Sequence, residues 1–265
     1  MLHAGGLPLR LVVRDPTRLD ATLAGIPDVQ RASGYAASDE MRDAFAGVAT
    51  VFLIPAAESA DRVDQHRATV QAAVQAKAQR IVYLSFVGAA EGATFTLARD
   101  HWHTEQAIRG SGLEFAFLRM SLYMDFLPMI VGADGAIRGP AGSGRLAAIS
   151  RDDVAASCAA VLASPEAHVG KTWNLTGREA FSMAEAASLL STPRKPVRYV
   201  DETDEEAWAS RQHFGAPEWE NAGLDQFVPS GARRQPGDGE RRCNAADRPR
   251  AGDPARVPGP LTRRL

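Results

Sequence analysis

Five short apolar runs recur along the first half of this chain: Leu9-Arg14, Val29-Ala32, Val48-Ile54, Arg80-Leu84 and Glu114-Arg119. Several are continuous rather than alternating in polarity, the pattern of strands whose two faces are both covered. Helical stretches lie between them. Ser38-Ala46 opens on Ser-Asp-Glu, which supplies a cap and acidic residues for a first turn. Ser59-Ala78 places Val63, Val70, Ala73 and Val74 on one face, and Ala98-Gly110 stops in the sequence RGSG. Strands alternating with helices predict an α/β fold built on a doubly wound parallel sheet.

After Arg119 the pattern loosens. Leu122-Val131 is apolar and rich in Met and Phe, and a glycine-punctuated stretch follows it. Asp152-Ala163 reads as an amphipathic helix, KTWNLTG as a strand, and FSMAEAASLLS as a helix capped by Ser182 with Glu185 three residues on. PVRYVD predicts another strand and Asp204-Phe214 another helix. These pieces predict a small C-terminal lid region within about 120–228, on a nucleotide-binding domain covering 1–228. From Pro229 to Leu265 the chain is mostly Arg, Pro, Gly, Ala and Asp, with almost no apolar residues to offset the entropy of ordering. A disordered tail is expected there. A nucleic-acid-binding arm is the competing reading, and the interspersed acidic residues argue against it.

The net charge of −2 gives no whole-chain attraction to nucleic acid. Cys158 and Cys243 are the two cysteines, without disulfide or zinc spacing. No apolar run is long enough to span a bilayer and no signal-peptide core opens the chain, so no membrane association and a cytoplasmic location are expected.

LRLVVRDPTRL, VATVFLIPAA, IVYLSFVGA, HWHTEQAIRGSGLEFAFLRMSLYMDF and AAISRDDVAASCAAVL together resemble the atypical short-chain dehydrogenases of the NmrA-like group. Within it they are most like the NAD(P)H:quinone oxidoreductases and triphenylmethane reductases. The similarity runs from about Leu7 to about Leu190, and His101 to Phe126 is its most specific part. It implies an NAD(P)-binding Rossmann-like fold. Two departures stand out: the sequence holds no GxxGxxG loop, and the Arg/Pro/Gly-rich tail replaces an ordered helical segment. A late start and a reading-frame shift near residue 228 would account for both, giving an N-terminally truncated fold. Without its first strand, the strands Leu9-Arg14 and Val48-Ile54 would have no partner between them.

Arg14 ends the strand that corresponds to the second of such a fold. A basic residue there suits the 2′-phosphate of NADP(H), where an NAD(H) site would carry a carboxylate. Arg18 lies one turn on and could assist, while Asp15 is expected to cap the turn after Pro16. Ile54, Pro55 and Ala56 close a strand at the sheet edge where ligands sit. The resemblance implies that Ser85 faces the nicotinamide and the substrate oxygen. It also implies that His101 lies near the nicotinamide ribose, as hydrogen-bonding or proton-donating group, and that the loop carrying Tyr123 lines a pocket for a planar acceptor. His101 and His103 point about 200° apart on a helix, which argues against a metal site.

The activity implied is NADP(H)-dependent, less readily NAD(H)-dependent, reduction of a quinone or similar planar electrophile by direct hydride transfer. The alternatives are an NmrA-like dinucleotide-sensing regulator without turnover, or an inactive truncated derivative.

Overall fold

The structure, a computed structural model, describes residues 2, 5–23 and 25–212. The expected tail and the boundary at 228 lie outside the described residues. The chain divides into two compact units, the first formed by Met1–Ser121 with Cys158–Leu175.

In the first unit, β1 (Arg10–Val13) pairs in parallel with β2 (Asp28–Arg31), setting Val13 opposite Arg31. Helix α1 (Asp39–Ala44) starts where Ser38 accepts the Met41 N–H at 3.2 Å. Then follow β3 (Thr50–Leu53), α2 (Arg62–Gln75), β4 (Arg80–Phe86), α3 (Thr96–Gly110) and β5 (Glu114–Met120). After an excursion into the second unit, the chain returns to place β8 (Thr172–Leu175) beside β5. A second sheet thus runs β3-β4-β5-β8, parallel throughout. Its inner strand β4 is paired on both edges, and Ile81 to Ser85 are all buried, as its unbroken apolar run requires.

The parallel α/β fold expected from the alternation is present, but its sheet is split. Among the described residues β1 pairs only with β2, and β3 only with β4. Leu9–Arg14 and Gly47–Pro55 line the same cavity, of about 1300 Å³. One apolar cluster lies under both sheets, with Val12 of β1 packed against a group that includes Val51, Leu53, Ile81 and Phe117. All four β1 residues are only half-buried, because the cavity occupies the place of a covering neighbour.

The second unit comprises Leu122–Ser157 and the described residues from Thr176 on. The Met- and Phe-rich stretch forms a 3₁₀ turn over Met124–Ile130, with Pro128 inside it, where no α-helical hydrogen bond can be donated. Next come β6 (Ala136–Gly139), β7 (Arg145–Leu146) and α4 (Arg151–Ala163), whose C-terminal half belongs to the first unit. The unit ends with β9 (Phe181–Ser182), α5 (Met183–Leu190), β10 (Arg198–Asp201) and α6 (Asp204–Gln212). Ser182 and Glu185 close the expected capping box on α5. β10 lies parallel to β6, and Leu127, Ile137, Met183 and Ala187 form this unit's own core.

Candidate cofactor-binding site

The C-terminal ends of β1 and β2 gather three arginines. Asp15 accepts the Thr17 N–H at 3.0 Å and the Thr17 hydroxyl at 2.6 Å, capping a 3₁₀ turn over Pro16–Arg18. Those bonds hold the Asp15 carboxyl below its ordinary range and bind it locally. Arg14 and Arg18 stand exposed on either side, and no carboxylate lies within ion-pair distance of them among the described residues. Arg31 joins them: the β1–β2 register carries it to this end, where its Nε donates to the Arg14 carbonyl at 3.4 Å. Sequence reasoning missed Arg31, whose proximity depends on strand register; its position at the end of the run Asp28–Arg31 was the available signal.

The β3 end contributes the second side. Ile54 is 53% exposed, Pro55 is half-buried and Ala56 is buried. Ile54, Pro55 and Ala57 line the cavity together with Arg14, Gly34 and Tyr35. The polar groups of Ala56 face the other way, its N–H toward His66 and its carbonyl toward Arg62. Neither Arg62, His66 nor Tyr35 was singled out from the sequence.

Ser85 and His101 lie deeper. Ser85 is fully buried on β4, and its hydroxyl donates to Glu105 Oε1 at 2.6 Å. Arg119 of β5 grips the same carboxylate with two bonds, Nε to Oε1 at 2.8 Å and Nη2 to Oε2 at 2.6 Å. His101 on α3 is 5% exposed. Its Nδ1 meets the Tyr83 hydroxyl at 2.9 Å and its Nε2 the Arg62 guanidinium at 3.4 Å. Burial first, and the Arg62 charge second, hold the His101 pKa well below the ordinary histidine value, so the ring is neutral at pH 7. Both ring nitrogens are engaged within the protein, an arrangement that the apolar and polar pattern of α3 does not reveal.

Tyr123 belongs to the second unit. It forms an isolated bridge with Ile149, and the Arg151 guanidinium sits 5.4 Å from its ring centroid.

Comparison with known proteins fits this geometry. A family model described as NAD(P)H-binding matches residues 1–165. Quinone oxidoreductase 2 of Escherichia coli (strain K12) is 31% identical over 211 residues, covering 78% of this chain and 73% of that protein. An NAD(P)H azoreductase from Xenophilus azovorans is 30% identical over 223 residues, covering 82% and 77%. Among solved structures, an NADPH-dependent quinone oxidoreductase of Escherichia coli complexed with NADPH superposes with a TM-score of 0.76 at 27% identity, covering 86% of this chain and 82% of that one. The Citrobacter sp. triphenylmethane reductase complexed with NADP(H) gives 0.71 at 28%, covering 84% and 82%. NmrA, a negative transcriptional regulator, shares the fold at 19% identity and a TM-score of 0.65. The α/β architecture and the match over the first 165 residues agree: this chain belongs to the NAD(P)H-binding family.

Proposed function

We propose that the protein is an NADPH-dependent reductase of quinones or similar planar electrophiles. The carrying observation is the group of three exposed arginines, Arg14, Arg18 and Arg31, at adjoining strand ends with no carboxylate in ion-pair contact among the described residues. Such a group fits the 2′-phosphate of NADPH, to which guanidinium forks bond with charge assistance. The names of the relatives, quinone oxidoreductase and azoreductase, support the acceptor class.

When bound, the cofactor supplies a hydride. Arg14 and Arg18 hold the phosphate, and Ile54 and Pro55 wall the dinucleotide, with Ala56 anchoring their loop from behind. Ser85 and His101 act from behind: Ser85 orients Glu105 against Arg119, and His101 braces Arg62. A quinone is already a strong electrophile, so a neutral His101 suffices and no strong acid is needed.

The test is oxidation of NADPH by the full chain with a water-soluble benzoquinone, followed at the nicotinamide absorbance. Turnover that saturates in both substrates supports the reading. NADPH binding without turnover on quinones or azo dyes overturns the reductase and favours a dinucleotide sensor.

A further inference from the structure

The loop leaving β3 is held from three directions. Pro55 brings no N–H, and three of the remaining polar groups around it are taken by side chains. The Tyr35 hydroxyl donates to the Ile54 carbonyl at 3.0 Å. The Ala56 N–H donates to His66 Nε2 at 2.9 Å, and Arg62 Nε donates to the Ala56 carbonyl at 3.0 Å. Arg62 and His66 are four residues apart on α2 and so share a face. They are 5% and 0% exposed.

The clamp is itself braced by α3. His66 Nδ1 lies 2.8 Å from the Thr104 hydroxyl, which in turn donates to the Asp100 carbonyl at 2.8 Å. Arg62 reaches His101 with one terminal nitrogen and the Asp100 carboxylate, at 3.5 Å, with the other. The donors dictate the tautomers. A backbone N–H and a guanidinium can only donate, so Nε2 of both imidazoles accepts and Nδ1 carries the proton. Burying a guanidinium and two imidazoles is expensive unless each is satisfied. Here Arg62 and His66 converge on Ala56, taking the N–H of one peptide and the carbonyl of the next, in the loop that lines the cavity, while the Arg62 Nη1 group makes no hydrogen bond and faces only the Asp100 carboxylate.

We propose that Arg62, His66 and Tyr35 are positioning residues of the cofactor site, turning the polar groups of Ile54 and Ala56 inward so that the loop presents Ile54 and Pro55 to the dinucleotide. The proposal rests on the reading of this loop as a cofactor wall. It makes the loop a pre-set surface: its conformation is fixed by α2 before any ligand arrives, and binding need not order it.

The test compares His66→Leu and His66→Gln in the full chain, reading NADPH affinity by nicotinamide fluorescence, KM and kcat by turnover, and amide exchange at Ala56. His66→Leu removes the acceptor; it is expected to raise the Kd and KM for NADPH about tenfold, with kcat at saturation within about twofold. It also deprotects the Ala56 amide. His66→Gln, which keeps an acceptor, restores most of the affinity. Should His66→Leu fail to fold, Tyr35→Phe deletes one hydroxyl from a half-buried ring and is expected to raise the Kd about threefold. A folded His66→Leu or Tyr35→Phe with wild-type affinity overturns the clamp while leaving the cofactor reading intact. A wild-type chain that binds no NADPH overturns that reading and the clamp with it.

Discussion

Protonation sets the limits on the two buried imidazoles. Burial, then the Arg62 charge, pushes His66 down to about 3, and His101 moves in the same direction. In the unfolded chain each titrates near the ordinary value of about 6.5. The folded state therefore binds fewer protons below that pH, so the stability these groups contribute is complete above about pH 6.5 and is lost as pH falls. His66 contributes a slope of at most about 1.4 kcal/mol per pH unit between about pH 6 and pH 4, and His101 adds to the decline in the same direction. Denaturant unfolding of wild type and His66→Gln across that range is expected to show a shallower decline in the variant; parallel curves would mean His66 charges in the folded state. Much at this scale was legible in the sequence: Arg14 and Arg18 at a strand end, Asp15 as a cap, Ser182 with Glu185. Arg31, Arg62, His66 and Tyr35 were not, because their roles come from strand register and from contacts between residues 6 to 39 positions apart. His101 stood out as a residue, yet its burial against Tyr83 and Arg62 depends on how α3 meets β4 and α2.

Element boundaries follow local chemistry, and α2 shows both a success and a failure of reading it. The apolar face of Ser59-Ala78 indicated a helix, and the helix spans Arg62–Gln75. Its end carries no glycine to announce it. Lys77 takes φ = 60°, while the Lys77 N–H bonds the Val74 carbonyl at 3.0 Å and the Ala78 N–H bonds the Ala73 carbonyl at 3.0 Å. That is a Schellman closure built on a lysine, a conformation costing an L-residue roughly 1–2 kcal/mol. Lys77→Gly is expected to stabilise the protein by about 0.5–1 kcal/mol after the larger unfolded-state entropy of glycine is allowed for. Thermal and urea unfolding check it, and a destabilised variant would mean that the lysine side chain contributes more than its backbone strain. The apolar stretch after Tyr123 announces no element through its pattern, and Pro128 holds it to a 3₁₀ turn.

Across the whole molecule, the split sheet is the main feature. β4 and β5 are paired on both edges and buried at their centres, whereas β1 and β3 each present an edge to the cavity of about 1300 Å³. Unsatisfied strand edges open readily. Native-state hydrogen exchange is expected to show the strongest protection at Ile81–Leu84 and Ala116–Leu118, with Leu11–Val13 exchanging through lower-energy openings. Equal protection in both places would mean that β1 and β3 are paired in solution. The parallel α/β class, the lone β1–β2 pair and the run of strands were all legible from apolar runs and the resemblance; the second unit's internal pairing of β6 with β10 was not, because its strands are short and far apart in sequence.

Nicotinamide fluorescence on the full chain tests whether the dinucleotide site prefers NADPH through its arginines. Wild-type protein is titrated with NADPH and with NADH, and the titrations are repeated with Arg14→Ala. NADPH is expected to bind more tightly than NADH, and Arg14→Ala to weaken NADPH by about 1.5–3 kcal/mol, the range for a hydrogen bond to a charged group, with NADH nearly unchanged. Equal affinity for the two cofactors, or equal losses on Arg14→Ala, would contradict the account.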